Sequence, residues 1–162
     1  MAVEVRRVED APEFAELREL LAAYEADLPP ELRHGAVPEL DAIAQVYAGE
    51  NAAFVARRDG VPIGCVAAGR FDASSAVLMR LFVLPSARGI GAARALVNAA
   101  ISFARGRGDR RIVLDTHKGQ LVAAYRLYRS LGFEECEPIA PVSYECPTFM
   151  ELRIEEQADD RI

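Results

Sequence analysis

Two glycines and an arginine, Arg88-Gly89-Ile90-Gly91, stand between an apolar run and a segment of helical periodicity. The run Ala76-Val-Leu-Met-Arg-Leu-Phe-Val-Leu84 reads as a strand buried on both faces. Pro85, which cannot donate to a sheet ladder, ends it. After the first glycine, Ile90, Ala93, Val97, Ile101 and Ala104 recur at helical spacing. A strand–turn–helix unit of this kind leaves unpaired N–H groups and the positive end of the helix dipole in its turn. Glycines let an anion reach those N–H groups without meeting a Cβ, and Arg88 adds a cation. The turn is therefore suited to a phosphate or pyrophosphate. Its plainer reading is a tight connection with no ligand.

Two familiar phosphate-binding patterns fail here. Gly89-x-Gly91 lacks the third glycine of G-x-G-x-x-G, with Arg94 in its place, and no Gly-Lys-Ser/Thr is present. Arg88-Gly-Ile-Gly91-Ala-Ala93 instead resembles motif A of the GCN5-related N-acetyltransferases, Gln/Arg-x-x-Gly-x-Gly/Ala. The preceding Arg80-Leu-Phe-Val83-x-Pro85 is similar to that family's Arg-Leu-Tyr-Val-x-Pro run. A second stretch, Ala124-Tyr-Arg-Leu-Tyr128-Arg-Ser-Leu-Gly132-Phe133, is by periodicity an amphipathic helix with a glycine stop. It resembles the family's motif B, Ala-x-x-Leu-Tyr-x-x-x-Gly-Phe, at each named position.

The resemblance covers the chain from the central strand to Phe133, and the N-terminal third agrees in element order. It implies acetyl-CoA as cosubstrate. The backbone of Arg88, Gly89, Ile90, Gly91, Ala92 and Ala93 would hold its pyrophosphate. Leu81, Phe82 and Val83 would meet the pantetheine arm, through N–H groups freed by a bulge near Leu81 to Val83. Tyr128 matches the general acid and would also border the cofactor. A thiol pKa of about 8.5 and a phenol pKa of about 10 make transfer of a proton to a departing thiolate feasible. On periodicity alone Tyr128 is a half-buried core tyrosine, and Tyr125 is a packing residue.

An ammonium cannot attack a thioester, so a proton acceptor is needed. Many relatives carry a glutamate three residues before the arginine of the central strand, where this chain has Val77. An asparagine common before motif B is replaced by Leu121. Glu25, Asp27, His117 and Glu151 are the remaining carboxylates and imidazole to weigh, and none is nominated as the base. Each has a simpler explanation as a helix end, a loop residue or a strand face. Arg33 and His34 could meet a carboxylate on an acceptor, or be merely solvated.

The rest of the composition narrows the class. At 162 residues, 51% hydrophobic and 27% charged, the chain reads as one globular domain over 1–154 with a solvated tail over 155–162. A formal net charge of −6 argues against general nucleic-acid binding and favours a cationic, amine-bearing partner. Met1 to Pro12 holds no apolar run and no stretch reaches membrane-spanning length, so no membrane partner and a cytoplasmic location are expected. Cys65, Cys136 and Cys146 have no C-x-x-C spacing, and with only His34 and His117 beside them no metal site is expected.

Several elements must position these residues. Val3 to Val8 alternates as a strand; Asp10, Pro12 and Glu13 open a helix with the stripe Phe14, Leu17, Leu20, Leu21 and Tyr24, ended by Leu28-Pro-Pro30. Pro38 starts a shorter helix bearing Leu40, Ile43 and Tyr47. Ala52 to Arg58 and Val61 to Arg70 form a hairpin closed by Asp59-Gly60. Arg111 to Thr116 is a strand, Leu121 to Leu131 a helix, and Phe133 to Glu137 and Thr148 to Ile154 are the last strands.

The order β-α-α-β-β-β-α-β-α-β-β predicts an α/β fold with a mixed sheet and helices on both faces. The resemblance implies the acyltransferase fold, with the strands carrying Leu81 and Ile112 splayed around the cofactor. The second half of the chain looks like a widespread group of small bacterial acetyltransferases. The function expected is transfer of acetyl to a primary amine of a small molecule or peptide, by direct attack in a ternary complex. A longer acyl group, or a CoA-binding regulatory module without turnover, is the alternative. A homodimer is common in such folds.

Overall fold

The computed structural model describes residues 2–34 and 42–154. The chain runs β1 (Val3–Arg7), α1 (Ala11–Asp27), α2 (Ile43–Val46), β2 (Ala52–Arg58), β3 (Val61–Asp72), β4 (Ser75–Val83), α3 (Ala92–Gly106), β5 (Arg111–Thr116), α4 (Val122–Ser130), β6 (Glu134–Glu135) and β7 (Thr148–Arg153). One sheet takes all seven strands in the order β1-β2-β3-β4-β5-β7-β6. β4 and β5 run parallel and the other neighbours antiparallel. The expected helix start at Pro38 and Leu40, and the tail over 155–162, lie outside the described residues.

Local chemistry explains where elements begin and end. The Asp10 side chain accepts from the Glu13 N–H at 2.9 Å, and Glu13 Oε1 accepts from the Asp10 N–H at 3.1 Å, a reciprocal capping box. That second carboxylate also accepts from the Glu9 N–H, which, as the largest influence, holds the Glu13 carboxyl below its ordinary value. Asp59 and Gly60, both at positive φ, close the β2–β3 hairpin in the sense that matches strand twist. At the end of α4, Gly132 at φ +99° lets its N–H reach the Arg129 carbonyl and the Phe133 N–H reach that of Tyr128. This glycine-terminated stop fixes Phe133, 1% exposed, beside the Tyr128 ring.

Two apolar layers clothe the sheet. On one face α3 lays Leu96, Val97, Ala100, Ile101 and Ala104 on the sheet, and α4 adds Tyr128. On the other, α1 packs Leu17, Leu20 and Leu21 against Val55, Cys65, Ala67 and Phe82. Burial pushes the Cys65 thiol up to about 12, so it serves as a small core side chain. Cys136 and Cys146 are also free thiols.

Strand β4 departs from regular pairing in two ways. Against β3, Cys65 faces Phe82 and Ala67 faces Met79, so Arg80 and Leu81 together oppose Val66 in a bulge, with Arg80 at φ +60°. The irregularity sits at Arg80–Leu81, at the start of the expected stretch. Against β5, β4 pairs only through Ser75, Ala76 and Val77. That closed end is pinned by the buried Asp109 carboxylate, 2.5 Å from Arg70 and 2.6 Å from Arg107, and by Arg111 donating to Ser75 Oγ at 2.9 Å. Beyond Val77 the two strands splay.

Candidate active site

Where β4 and β5 part, a cavity of about 650 Å³ opens. Its α3 side is the strand–turn–helix unit. Leu81, Phe82, Val83, Arg88, Gly89, Gly91, Ala92 and Ala93 all line it, and so does Tyr128 from α4. Gly91 is the N-cap of α3 at φ +88°, and Gly89 lies at +87°. A Cβ at either glycine would meet no protein atom within 4 Å, so the turn presents open backbone toward the N–H groups of the first helical turn. The residues present therefore fit a phosphate-bearing ligand.

Three details differ from the sequence reading. Ile90 does not join the apolar stripe of α3: its side chain is 40% exposed, because the helix begins at Ala92 and buries Ala92, Leu96 and Val97 instead. The Arg88 guanidinium is engaged by protein groups, with Nε donating to the Val83 carbonyl at 3.0 Å and a terminal nitrogen 2.7 Å from Asp27 Oδ2. Arg88 thus ties the end of β4 to the end of α1. Arg94, noted in the sequence only as a missing glycine, also lines the cavity and donates to Ser130 Oγ at 2.9 Å.

Tyr128 is 5% exposed. Burial foremost, then the neighbouring Tyr24 and Asp115, raises its phenol well above the ordinary value, so it stays a proton donor. A thiolate formed in the same cavity loses solvation too, so the difference between the two groups governs transfer rather than either ordinary value. Tyr125 donates to Glu135 Oε2 at 2.7 Å, while its ring packs at the edge of the α3-side core.

The α1 side of the cavity is charged. Asp115, at the end of β5, lines it, and Tyr144 from the β6–β7 loop donates to Asp115 Oδ2 at 2.6 Å. Tyr24 lines it from α1, its phenol raised first by burial and lowered in part by Arg80. The Arg80 guanidinium lies 6.0 Å from the centre of the Tyr24 ring and 3.2 Å from His34 Nε2. His34 Nδ1 is 2.9 Å from Glu25 Oε2, and the other Glu25 oxygen accepts from the His34 backbone N–H.

The residues weighed as a base are dispersed. Asp27 lines the cavity but pairs with Arg88. Glu25 is bound to His34, His117 Nδ1 accepts from the Gln120 N–H at 3.1 Å, and Glu151 lies 3.6 Å from Arg111. None of these three is among the residues lining the cavity. Asp115 is the carboxylate that sequence reasoning passed over. The available signal was a charge breaking the apolar run Ile112-Val-Leu114 at a strand end. Leu121 offers no side-chain cap to α4 and lines the cavity instead.

Among the described residues no three His, Cys, Asp or Glu side chains gather as metal ligands, and no helix is long and apolar enough to cross a membrane.

Comparison with known proteins gives a consistent family. The model of the acetyltransferase (GNAT) family matches residues 15–133. An uncharacterised N-acetyltransferase of Schizosaccharomyces pombe is 39% identical over 80 residues, 49% of this chain and 48% of that protein. The chain thus spans about half the length of that relative. Aminoglycoside N(6')-acetyltransferase type 1 of Salmonella typhimurium is 33% identical over 102 residues, 58% of this chain and 70% of that one. Among solved structures, a GNAT-family acetyltransferase of Staphylococcus aureus superposes with a TM-score of 0.79 at 18% identity, covering 95% of this chain and all of the other. The yncA protein of Salmonella typhimurium, solved with acetyl-CoA, gives 0.78 at 23% identity over 98% and 97% of the chains.

Proposed function

The chain belongs to the GNAT family of acetyltransferases, and from that premise we propose that it transfers acetyl from acetyl-CoA to a primary amine by direct attack in a ternary complex. The observation that carries this reading is one cavity lined on its α3 side by the glycine turn and Tyr128 and on its α1 side by Asp115. Acetyl-CoA is a substrate here, and the residues divide its parts between them. The N–H groups around Gly89, Ile90, Gly91, Ala92 and Ala93 receive the pyrophosphate. From the bulge onward, the backbone of Leu81 to Val83 would pair with a pantetheine arm entering the splay.

The chemistry balances within that cavity. An ammonium gives one proton to Asp115, and the freed nitrogen attacks the thioester carbonyl. The N–C bond forms, the C–S bond breaks, and the sulfur takes the Tyr128 hydroxyl proton. The nitrogen sheds its second proton on collapse, which restores the phenol. Val77 supplies no carboxylate on β4, and Asp115 supplies one across the splay. The acceptor is a small molecule or a peptide.

Calorimetric titration with acetyl-CoA, free CoA and NADH tests the cofactor assignment. Binding of both CoA forms and none of NADH is expected. Absence of binding to either CoA form would reduce the Arg88 to Ala93 turn to a connection between a strand and a helix.

A further inference from the structure

The α1 side of the cavity holds two opposite charges on one wall. Regular alternation along β4 would send Arg80 to the α3 face with Leu78, but the bulge at Arg80–Leu81 brings it to the α1 face, against Tyr24 and His34. A non-glycine residue at φ +60° is an unfavourable way to place a side chain, and here it puts a cation in the cavity wall. Asp115 belongs to the same face, since Ile112 and Leu114 on its own strand pack toward α3. Tyr144 fixes one Asp115 oxygen. The Tyr24 phenol, on the same wall and raised foremost by burial, feels both groups: Arg80 lowers it and Asp115 raises it.

Resting on the acetyltransferase reading, we propose that the acceptor is a small zwitterionic amine. Its ammonium sits on Asp115 and its carboxylate on the Arg80 guanidinium, with the Tyr24 ring between them. A carboxylate matches the planar fork of a guanidinium, whose five N–H donors can serve wall partners and a ligand together. His34 and Glu25 act on this site through Arg80, by holding its orientation, and are positioning residues. An acceptor of this class needs both charges at short separation, which separates it from polycationic amines and from amines whose carboxyl is capped.

The test uses the whole chain and three matched sets of acceptors: free L-amino acids, their α-carboxamides and the corresponding decarboxylated amines, with kanamycin as a polycation. Acetyl-CoA-dependent thiol release gives kcat/KM, and acetyl-CoA affinity is measured separately by calorimetry. At least one free amino acid should exceed its carboxamide and its decarboxylated amine by about tenfold or more. Arg80→Gln should bring that ratio toward one and Arg80→Lys should restore part of it. Asp115→Asn should lower kcat/KM for the preferred amino acid, its carboxamide and its amine alike.

Acetyl-CoA binding with kanamycin, carboxamides or plain amines accepted as well as amino acids would overturn the zwitterion assignment and leave the cofactor reading standing. So would a preference that survives Arg80→Gln, or a failure of every acceptor set. No acetyl-CoA binding by the parent chain would overturn both.

Discussion

The α3 side of the cavity is drawn from two continuous stretches: β4 through the first turn of α3, and α4, from which Val122, Ala123, Ala124, Leu127 and Tyr128 line it. The α1 side is gathered from separate elements: Tyr24 on α1, Arg80 on the bulge and Asp115 at the end of β5 line it, with His34 bonded to Arg80 and Tyr144 to Asp115. The first is set by local backbone conformation, chiefly positive φ at Gly89 and Gly91. The second exists only once strand order, register and the bulge are in place. The glycine turn can thus keep its shape through changes elsewhere in the chain, while the α1 side answers to changes in packing.

Substitutions can pull the two sides apart. The largest effect is expected from Tyr128→Phe on the α3 side: kcat should fall by about 100-fold while acetyl-CoA affinity stays intact. Unchanged turnover would remove Tyr128 from the mechanism. Gly91→Val attacks the α3 side alone. A β-branched residue at φ +88° is strained by roughly 1–2 kcal/mol, and its side chain intrudes where the pyrophosphate would lie. Acetyl-CoA affinity measured by calorimetry should drop about tenfold or more; undiminished affinity would sink the cradle assignment.

Smaller changes probe the α1 side through its scaffold. Asp10→Ala removes the cap of α1 and should cost about 1 kcal/mol in denaturant unfolding. It should raise the acceptor KM before it alters acetyl-CoA binding, and the reverse order would contradict the division. Glu13, whose folded-state carboxyl titrates below its unfolded value, stabilises the fold above the ordinary carboxylate pKa of about 4.5. That contribution fades as pH falls through the lower, folded value. Glu13→Gln should flatten the loss of stability seen on acidification through this window. The smallest effect is expected from Asp27→Asn at the exposed ion pair with Arg88: less than about 1 kcal/mol in thermal unfolding, shrinking in high salt. A larger loss would show the two sides to be mechanically joined there.

Legibility in the sequence follows the same division. Asp10 and Glu13, Asp59-Gly60, Gly89, Gly91 and Gly132 each announce their roles within a few residues, so the element order and the glycine turn could be read directly. Ile90 was misread because spacing alone cannot say whether a helix starts before or after a glycine in the left-handed region. Arg88 showed its charge but not Asp27, which is 61 residues away. Asp115 looked like a strand terminus because its meaning comes from Tyr144 and Tyr24, on other elements. The bulge was expected from likeness to relatives. Its position at Arg80 depends on what β3 places opposite, and a single strand cannot report that.

The bulge also divides β4 into two halves that are out of phase. Up to Met79, even-numbered residues face α3; from Leu81 onward, odd-numbered ones do. Deleting Arg80 would change no other side chain and would restore a single phase, with Leu78, Leu81 and Val83 still toward α3 and Met79 and Phe82 still toward α1. What would be lost is the bulge itself and the cation it sets against Tyr24 and His34. One extra residue of length, more than any residue type, sets Arg80 in the α1 side of the cavity wall.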